Sequence, residues 1–151
     1  MSASPPIWPT EALKRRVRFA YADSLASENR NDGDVPVFGS NGVVGAHDRA
    51  ITRAPAIVIG RKGSSGRVVW SDVACFPIDT TDFVDQSHTR ENMRWLFYAL
   101  ESLGLDKINF DSAVPGLSRE LAYSLPLVFP PVSEQQRIAA YLEASCAAID
   151  A

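Results

Sequence analysis

The sequence predicts an α+β domain: a twisted, mixed or largely antiparallel sheet, one helix packed on it, and a C-terminal helix that starts a further region. Three observations carry this. Six glycines between Gly39 and Gly66 punctuate short β-branched runs, the pattern of hairpins with tight turns. Glu91 to Leu103 repeats apolar side chains at three and four, and a second such stripe follows Ser133. With 151 residues, 46% hydrophobic and 22% charged, the chain fits one domain and excludes disordered and fibrous classes.

Residues 1–9, M-S-A-S-P-P-I-W-P, read as an extended arm, with Trp8 its docking residue. Thr10 to Phe19 reads either as a short helix capped by Thr10 or as a segment running into a strand near Val17 to Tyr21. Glu28 to Asp34 is dense in turn formers and is a loop. From Val35 to Val73 strands and turns alternate, and Asn41-Gly42 signals a type I′ turn. Ala56 to Ile59 is a continuous apolar run, expected as a buried central strand, with Arg67 to Trp70 returning beside it. Val73 to Ile78 is a further strand candidate, ended by the polar stretch Asp79 to Asp82. The Glu91 to Leu103 helix packs on the sheet and stops at Gly104. After Pro130-Pro131, Ser133 and Gln136 form an S-x-x-Q capping box, and Ile138, Leu142, Cys146 and Ile149 line one stripe. The expected division is an arm at 1–9, a domain at 10–131 and the start of a helix at 132–151.

The formal net charge is -3, which as an average does not advertise a nucleic-acid partner. It is unevenly distributed: Glu11 to Trp70 holds ten Lys and Arg against six Asp and Glu, and Ser71 to Ala151 five against twelve. The longest apolar stretches, such as Trp95 to Leu100, fall far short of the roughly 20 residues that span a bilayer. Two cysteines and no secretory leader point to a reducing cytoplasm.

The usual constellations of catalysis and metal binding are not written here. His47 and His88 have no His or Cys at ligand spacing, so no metal or cofactor is expected. None of the serines sits in G-x-S-x-G. The loop G-R-K-G-S-S-G, Gly60 to Gly66, holds glycines, a lysine and hydroxyls, yet Lys62 is followed by glycine and the next segment reads as strand, unlike a nucleotide-phosphate loop. Two readings stay open for it. It is either an exposed polar hairpin tip without a ligand, or a tip that pushes Arg61, Lys62 and Arg67 toward phosphates and base edges.

The order of these pieces resembles the target recognition domain of a Type I restriction-modification DNA specificity subunit. The resemblance rests on P-x-x-I-W-P, V-P-V-F-G-S-N-G-V-V-G, A-I-V-I-G-R-K-G-S-S-G, W-L-F-Y-A-L-E-S-L, A-V-P-G-L-S-R and the closing L-P-L-V-F-P-P-V-S-E-Q-Q-R-I-A-A-Y-L-E. It implies a non-catalytic DNA reader for one half of a bipartite site. The implied partners are double-stranded DNA, a methyltransferase subunit, a restriction subunit through the complex, and a second copy of the chain where it acts as a half-length subunit rather than as a fragment of a longer one. It further implies that Arg61, Lys62, Ser64, Ser65 and Arg67 sit on a DNA-facing hairpin, with Ser40 and Asn41 on a neighbouring turn and Ser118 and Arg119 on the same face. Ile138, Leu142 and Ile149 would form the partner face of the closing helix. Two rivals stand beside this: a decoy that engages the methyltransferase without reading DNA, and a small DNA-modifying enzyme.

Overall fold

A computed structural model describes residues 8–108 and 116–150. Residues 1–7 of the arm and Ala113 to Pro115 of the A-V-P-G-L-S-R motif lie outside them. In chain order the strands are β1 (Thr10–Ala12), β2 (Ala20–Tyr21), β3 (Val35–Gly39), β4 (Gly42–His47), β5 (Ala56–Gly60), β6 (Val68–Ser71), β7 (Phe76–Pro77), β8 (Thr81–Val84) and β9 (Pro126–Val128). The helices are α1 (Met93–Ser102), α2 (Arg119–Ser124) and α3 (Val132–Asp150).

The α+β class holds, with the strands divided among three small sheets. One is four-stranded in the order β2-β8-β5-β6, one three-stranded in the order β4-β3-β7, and one is the pair β1-β9. Every pairing is antiparallel except β3 with β7.

Strand β5 lies inside its sheet and is buried along its whole length. Its alternation explains the unbroken apolar run. Ile57 and Ile59 face a core built with Leu96 and Leu100 of α1, while Ala56 and Val58 face a second cluster with Phe38 and Cys75. A strand covered on both faces gains from apolar residues at every position. Helix α1 starts where the Asn92 side chain accepts the Trp95 N–H at 2.9 Å and stops at Gly104, whose φ is +68°. It seats Phe97 edge-on against Trp70 of β6, 5.8 Å between centroids, with the Arg94 guanidinium over the same indole.

Four expectations are corrected. The 10–19 segment is not a capped helix: Thr10–Ala12 pairs with β9 and a single 3-10 turn follows at Leu13–Arg15, while the alternative of running into a strand near Val17 to Tyr21 holds, through the Val17–Thr89 bridge and β2. The two-residue turn between β3 and β4 is centred on Ser40 and Asn41, because Gly39 pairs with Gly42. A type I′ turn needs positive φ at both central residues, whereas among the described residues only glycines have it. Within Val73 to Ile78 only Phe76–Pro77 is strand, and Asp79 to Asp82, read as a terminating polar stretch, leads into β8. Asp82 tolerates that interior position because the Arg119 guanidinium donates to its carboxylate at 2.9 Å. The helix start expected at Ser133 lies two residues earlier, with Pro131 in the cap position. The first helical bond of α3 runs from the Gln135 N–H to the Pro131 carbonyl at 2.9 Å, which places Ser133 inside the first turn, and the side chain that turns inward is Gln135 rather than Gln136.

Gln135 is fully buried. Its carbonyl accepts the Asn92 N–H at 2.7 Å, and its amide donates to the Pro130 carbonyl at 2.9 Å and to the Glu91 carboxylate at 3.2 Å. One amide thus ties the start of α3 to the start of α1. Ile138 and Ala139 continue the contact, and Arg94 bridges to Glu143 at 2.7 Å. Farther along, Leu142 is half-buried, Cys146 is exposed and Ile149 is 82% exposed.

Candidate nucleic-acid interface

The glycine-rich loop after β5 is shaped by its backbone. The Gly60 N–H donates to the Arg67 carbonyl at 2.8 Å and the Gly66 N–H to the Gly60 carbonyl at 2.7 Å. Glycine is required at both ends of this loop. A Cβ on Gly60 would lie 2.1 Å from the Ser64 carbonyl oxygen, and one on Gly66, at φ +80°, 2.3 Å from the Leu105 and Asp106 backbone. The loop is fixed to the turn ahead of β8 as well, since the Arg61 and Lys62 N–H groups both donate to the Thr80 carbonyl, at 2.8 and 3.1 Å.

Three further segments meet it. The Ser40 hydroxyl accepts the Ser64 N–H at 3.2 Å, and Arg67 donates to the Asn41 side-chain carbonyl, which joins the β3–β4 turn to the loop. Arg61 donates from its guanidinium to the Asp79 carbonyl. The Leu117 N–H donates to the Arg61 carbonyl at 2.8 Å, which brings in the residues leading to α2. There Ser118 caps the helix by accepting the Leu121 N–H at 3.2 Å. Arg119 sits 3.6 Å above the Tyr21 ring and reaches Asp82 beneath. Burial pushes the Asp82 carboxyl above its ordinary range, and Arg119 and Arg61 pull it back only in part.

The nine residues read from the sequence as DNA-facing therefore lie in one hydrogen-bonded cluster at one end of the β5–β8 pair. Their side chains differ in what they leave free. Arg67, Arg61, Ser118 and Arg119 are engaged within the protein, whereas Lys62 is exposed and makes no side-chain bond among the described residues.

At the opposite end of β8 the structure reveals a feature not singled out in the sequence. An open groove of about 1060 Å³ lies between the Leu13–Arg15 turn, the 86–91 loop and the Pro130-Pro131 corner, and Lys14, Arg15, Arg18 and Arg90 are among its lining. The signal was present as the run K-R-R-V-R, but Arg90 joins it only through the fold. The same loop holds Asp85, Ser87 and His88, which look like a hydrolytic triad and are not one. The His88 Nδ1 accepts the Asp85 backbone N–H at 3.0 Å, so the ring proton sits on Nε2, which is the atom that would have to take a proton from Ser87. The Ser87 hydroxyl is instead turned to donate to Asp85 at 2.5 Å. Among the described residues, no three His, Cys, Asp or Glu side chains cluster as metal ligands would, and no helix is long and apolar enough to cross a membrane.

The chain is thus a small α+β body with a hydrogen-bonded cluster of turns at one end and α3 at its C-terminal side. Residues 20–150 match the family model described as the Type I restriction modification DNA specificity domain, and the chain belongs to that family. Solved structures share the fold. The S subunit of a Type-I restriction-modification system from M. genitalium matches at 21% identity and a TM-score of 0.74, over 87% of this chain and 36% of that one. The HsdS subunit from Thermoanaerobacter tengcongensis matches at 20% identity and a TM-score of 0.67, over 95% and 38%. A chain from a structure concerned with complex assembly and conformational transition of the type I R-M system matches at 19% identity and a TM-score of 0.68, over 99% and 40%. The chain thus spans well under half the length of each. Comparison with curated proteins gives no match.

Proposed function

We propose that the chain is a non-catalytic, sequence-specific DNA-binding module that directs a Type I methyltransferase and endonuclease complex to its target, reading one half of a bipartite site. The observation that carries this is the cluster of turns. The loop from Arg61 to Arg67 is held by its own backbone bonds and is joined to the β3–β4 turn through the Ser40 hydroxyl and the Arg67–Asn41 side-chain bond, so the groups presented to a groove are held in register before binding. Arg and Asn are the side chains best suited to guanine and adenine edges. Engagement of Arg67 with Asn41 makes these two a pre-set pair that a base edge can replace bond for bond. Ser118 and Arg119 flank the same surface and fix its edge.

In each longer S subunit the matched part is well under half of the chain, which leaves room there for a second such module, as a bipartite target needs. The exposed end of α3, with Ile149 82% exposed, suits a partner helix from the methyltransferase subunit or a second copy, with Ile138 and Leu142 at its base. Sedimentation of the isolated chain separates these: dimers would support the second copy, and a monomer at high concentration would leave the methyltransferase.

The DNA reading is tested by gel shift at several salt concentrations with the wild type, Lys62→Ala, and Arg61→Ala combined with Lys62→Ala. A loss of about 1–3 kcal/mol confined to one base position would mark base readout, and a uniform loss with a shallower salt slope would mark phosphate contact. Unchanged affinity in the double variant would sink the assignment.

A further inference from the structure

We infer that the groove at the far end of β8 is a second, sequence-independent contact for the DNA backbone, built from Lys14, Arg15, Arg18 and Arg90. The inference rests on the DNA reading above but concerns a different surface. These four side chains are exposed and, among the described residues, make no hydrogen bond or ion pair. The acids nearby are already spent: Arg16 takes both Glu11 and Glu91, and Asp85 is buried and bonded to Arg53 N–H and Ser87. In a chain of net charge -3, this leaves an uncompensated concentration of positive charge in one groove.

What the groove offers a ligand decides its class. Every exposed charged side chain lining it is a cation, and Gln86 and Ser87 add polar groups at the rim. Its floor, Val17 and Phe129, is buried, and the apolar groups that reach the surface, half-buried Trp8 with exposed Pro9, Pro131 and Val132, gather on the side where Pro9 bonds Phe129, away from the cations. An acidic protein segment would need apolar anchor points along its length, whereas a phosphate chain needs only donors and charge. The field is felt locally: burial first, then Arg18 and Arg53, hold the His88 imidazole below its ordinary value against the pull of Asp85.

One duplex engaging both surfaces would have to span the length of β8. The four residues of β8 separate the groove from the cluster of turns, about 13 Å of strand at roughly 3.3 Å per residue. That is the rise of about four phosphates along one strand of B-DNA at roughly 3.4 Å each. Bases read at the turns would be held in place by backbone gripped at the groove.

The test uses the full chain and a fluorescently labelled duplex of scrambled sequence, with binding followed by anisotropy between 20 and 200 mM salt (about 20 to 200 mM brackets the range where phosphate contacts dominate). The comparison set is the wild type, a groove variant with Lys14, Arg15, Arg18 and Arg90 all changed to Gln, a charge-retaining variant with the three arginines changed to Lys, and Lys62→Ala; circular dichroism confirms that each is folded. Each lost phosphate contact lowers the slope of log affinity against log salt by about 0.9. The groove variant is therefore expected to lose about 2 to 4 units of slope, and the Lys variant to keep most of it. A groove variant with the wild-type slope and affinity would overturn the inference while leaving the DNA reading intact. Loss of methyltransferase binding in that variant, with DNA binding unchanged, would likewise overturn it and assign the groove to protein. A wild type that binds no duplex would overturn both.

Discussion

Replacing Gln135 with Ala probes the joint between the domain and helix α3. The side chain is fully buried and makes three hydrogen bonds, to Asn92 N–H, the Pro130 carbonyl and the Glu91 carboxylate. Truncation leaves a buried donor and a buried acceptor without partners, at about 1–3 kcal/mol each, and removes one of the groups solvating Glu91, which keeps its bridge to Arg16 at 3.0 Å. Water entering the space left by the amide would recover part of this. The expected net loss is about 3 to 5 kcal/mol. For a domain of this size each kcal/mol moves Tm by about 2–4 °C, so the melting temperature should fall by about 6 to 20 °C. Gln136→Ala, at an exposed neighbouring position, is the matched control and should change stability by less than about 0.5 kcal/mol. Urea unfolding of both variants measures the difference. Equal, small losses would refute the claim that Gln135 is the joint and would return that role to the capping box at Ser133 and Gln136.

Three further outcomes follow from the same geometry. Arg119→Ala strips the partner from a carboxylate whose side chain is 2% exposed; because the arginine itself is 22% exposed and partly screened, the loss at pH 7 should be about 2–4 kcal/mol. The folded-state value of Asp82 lies above its ordinary one, so its ionisation opposes folding as pH rises through that interval, and the deficit of the variant should shrink near pH 4 when measured by denaturant unfolding. His88 is the opposite kind of group. Its folded-state value lies below 6.5, so its contribution is fully present above 6.5 and is lost as pH falls from there toward the folded value; Asp85, held below 3.8, acts only at lower pH. Stability profiles of wild type and His88→Asn should therefore differ in slope between pH 6.5 and the folded value of His88, and parallel profiles would contradict the burial of that ring. Gly104→Ala and Gly66→Ala both place a side chain at positive φ, but only Gly66 also meets backbone, at 2.3 Å. The first should cost about 1–2 kcal/mol, and the second more, with loss of the loop's shape visible as altered amide shifts at Arg61 to Arg67.

What could be read in advance divides along the range of the interactions involved. Strand β5, its return β6 and helix α1 with its glycine stop are each decided by residues within a few positions of one another, and the sequence pattern exposes them. Strand β8 was hidden because Asp82 looks solvated until Arg119, distant in the chain, is placed against it. The two-residue displacement at the start of α3 has the same origin: Ser133 and Gln136 satisfy a local rule, but Gln135 finds partners at the start of α1. The candidate site shows the same division. Glycine spacing identified the two turns, yet the bonds from Arg67 to Asn41 and from Arg61 to Asp79 depend on contacts across the fold. The basic groove was unreadable because one of its cations, Arg90, comes from the far end of β8.

The pairing of β1 with β9 has a mechanical consequence. Thr10 lies opposite Val128 and Ala12 opposite Pro126, so the chain enters and leaves the body of the domain through two strands bonded side by side, immediately before α3. Only these two covalent crossings join the body to the rest of the chain, and its other ties to α3 are the side-chain contacts of Gln135, Ala139 and Arg94. A body attached in this way can be lifted out and grafted onto another helix that begins at the same strand pair, because the two cut ends already lie at bonding distance and no third crossing has to be rebuilt. The recognition surface and the helix that carries it are therefore separable parts, and Gln135 is the bolt between them.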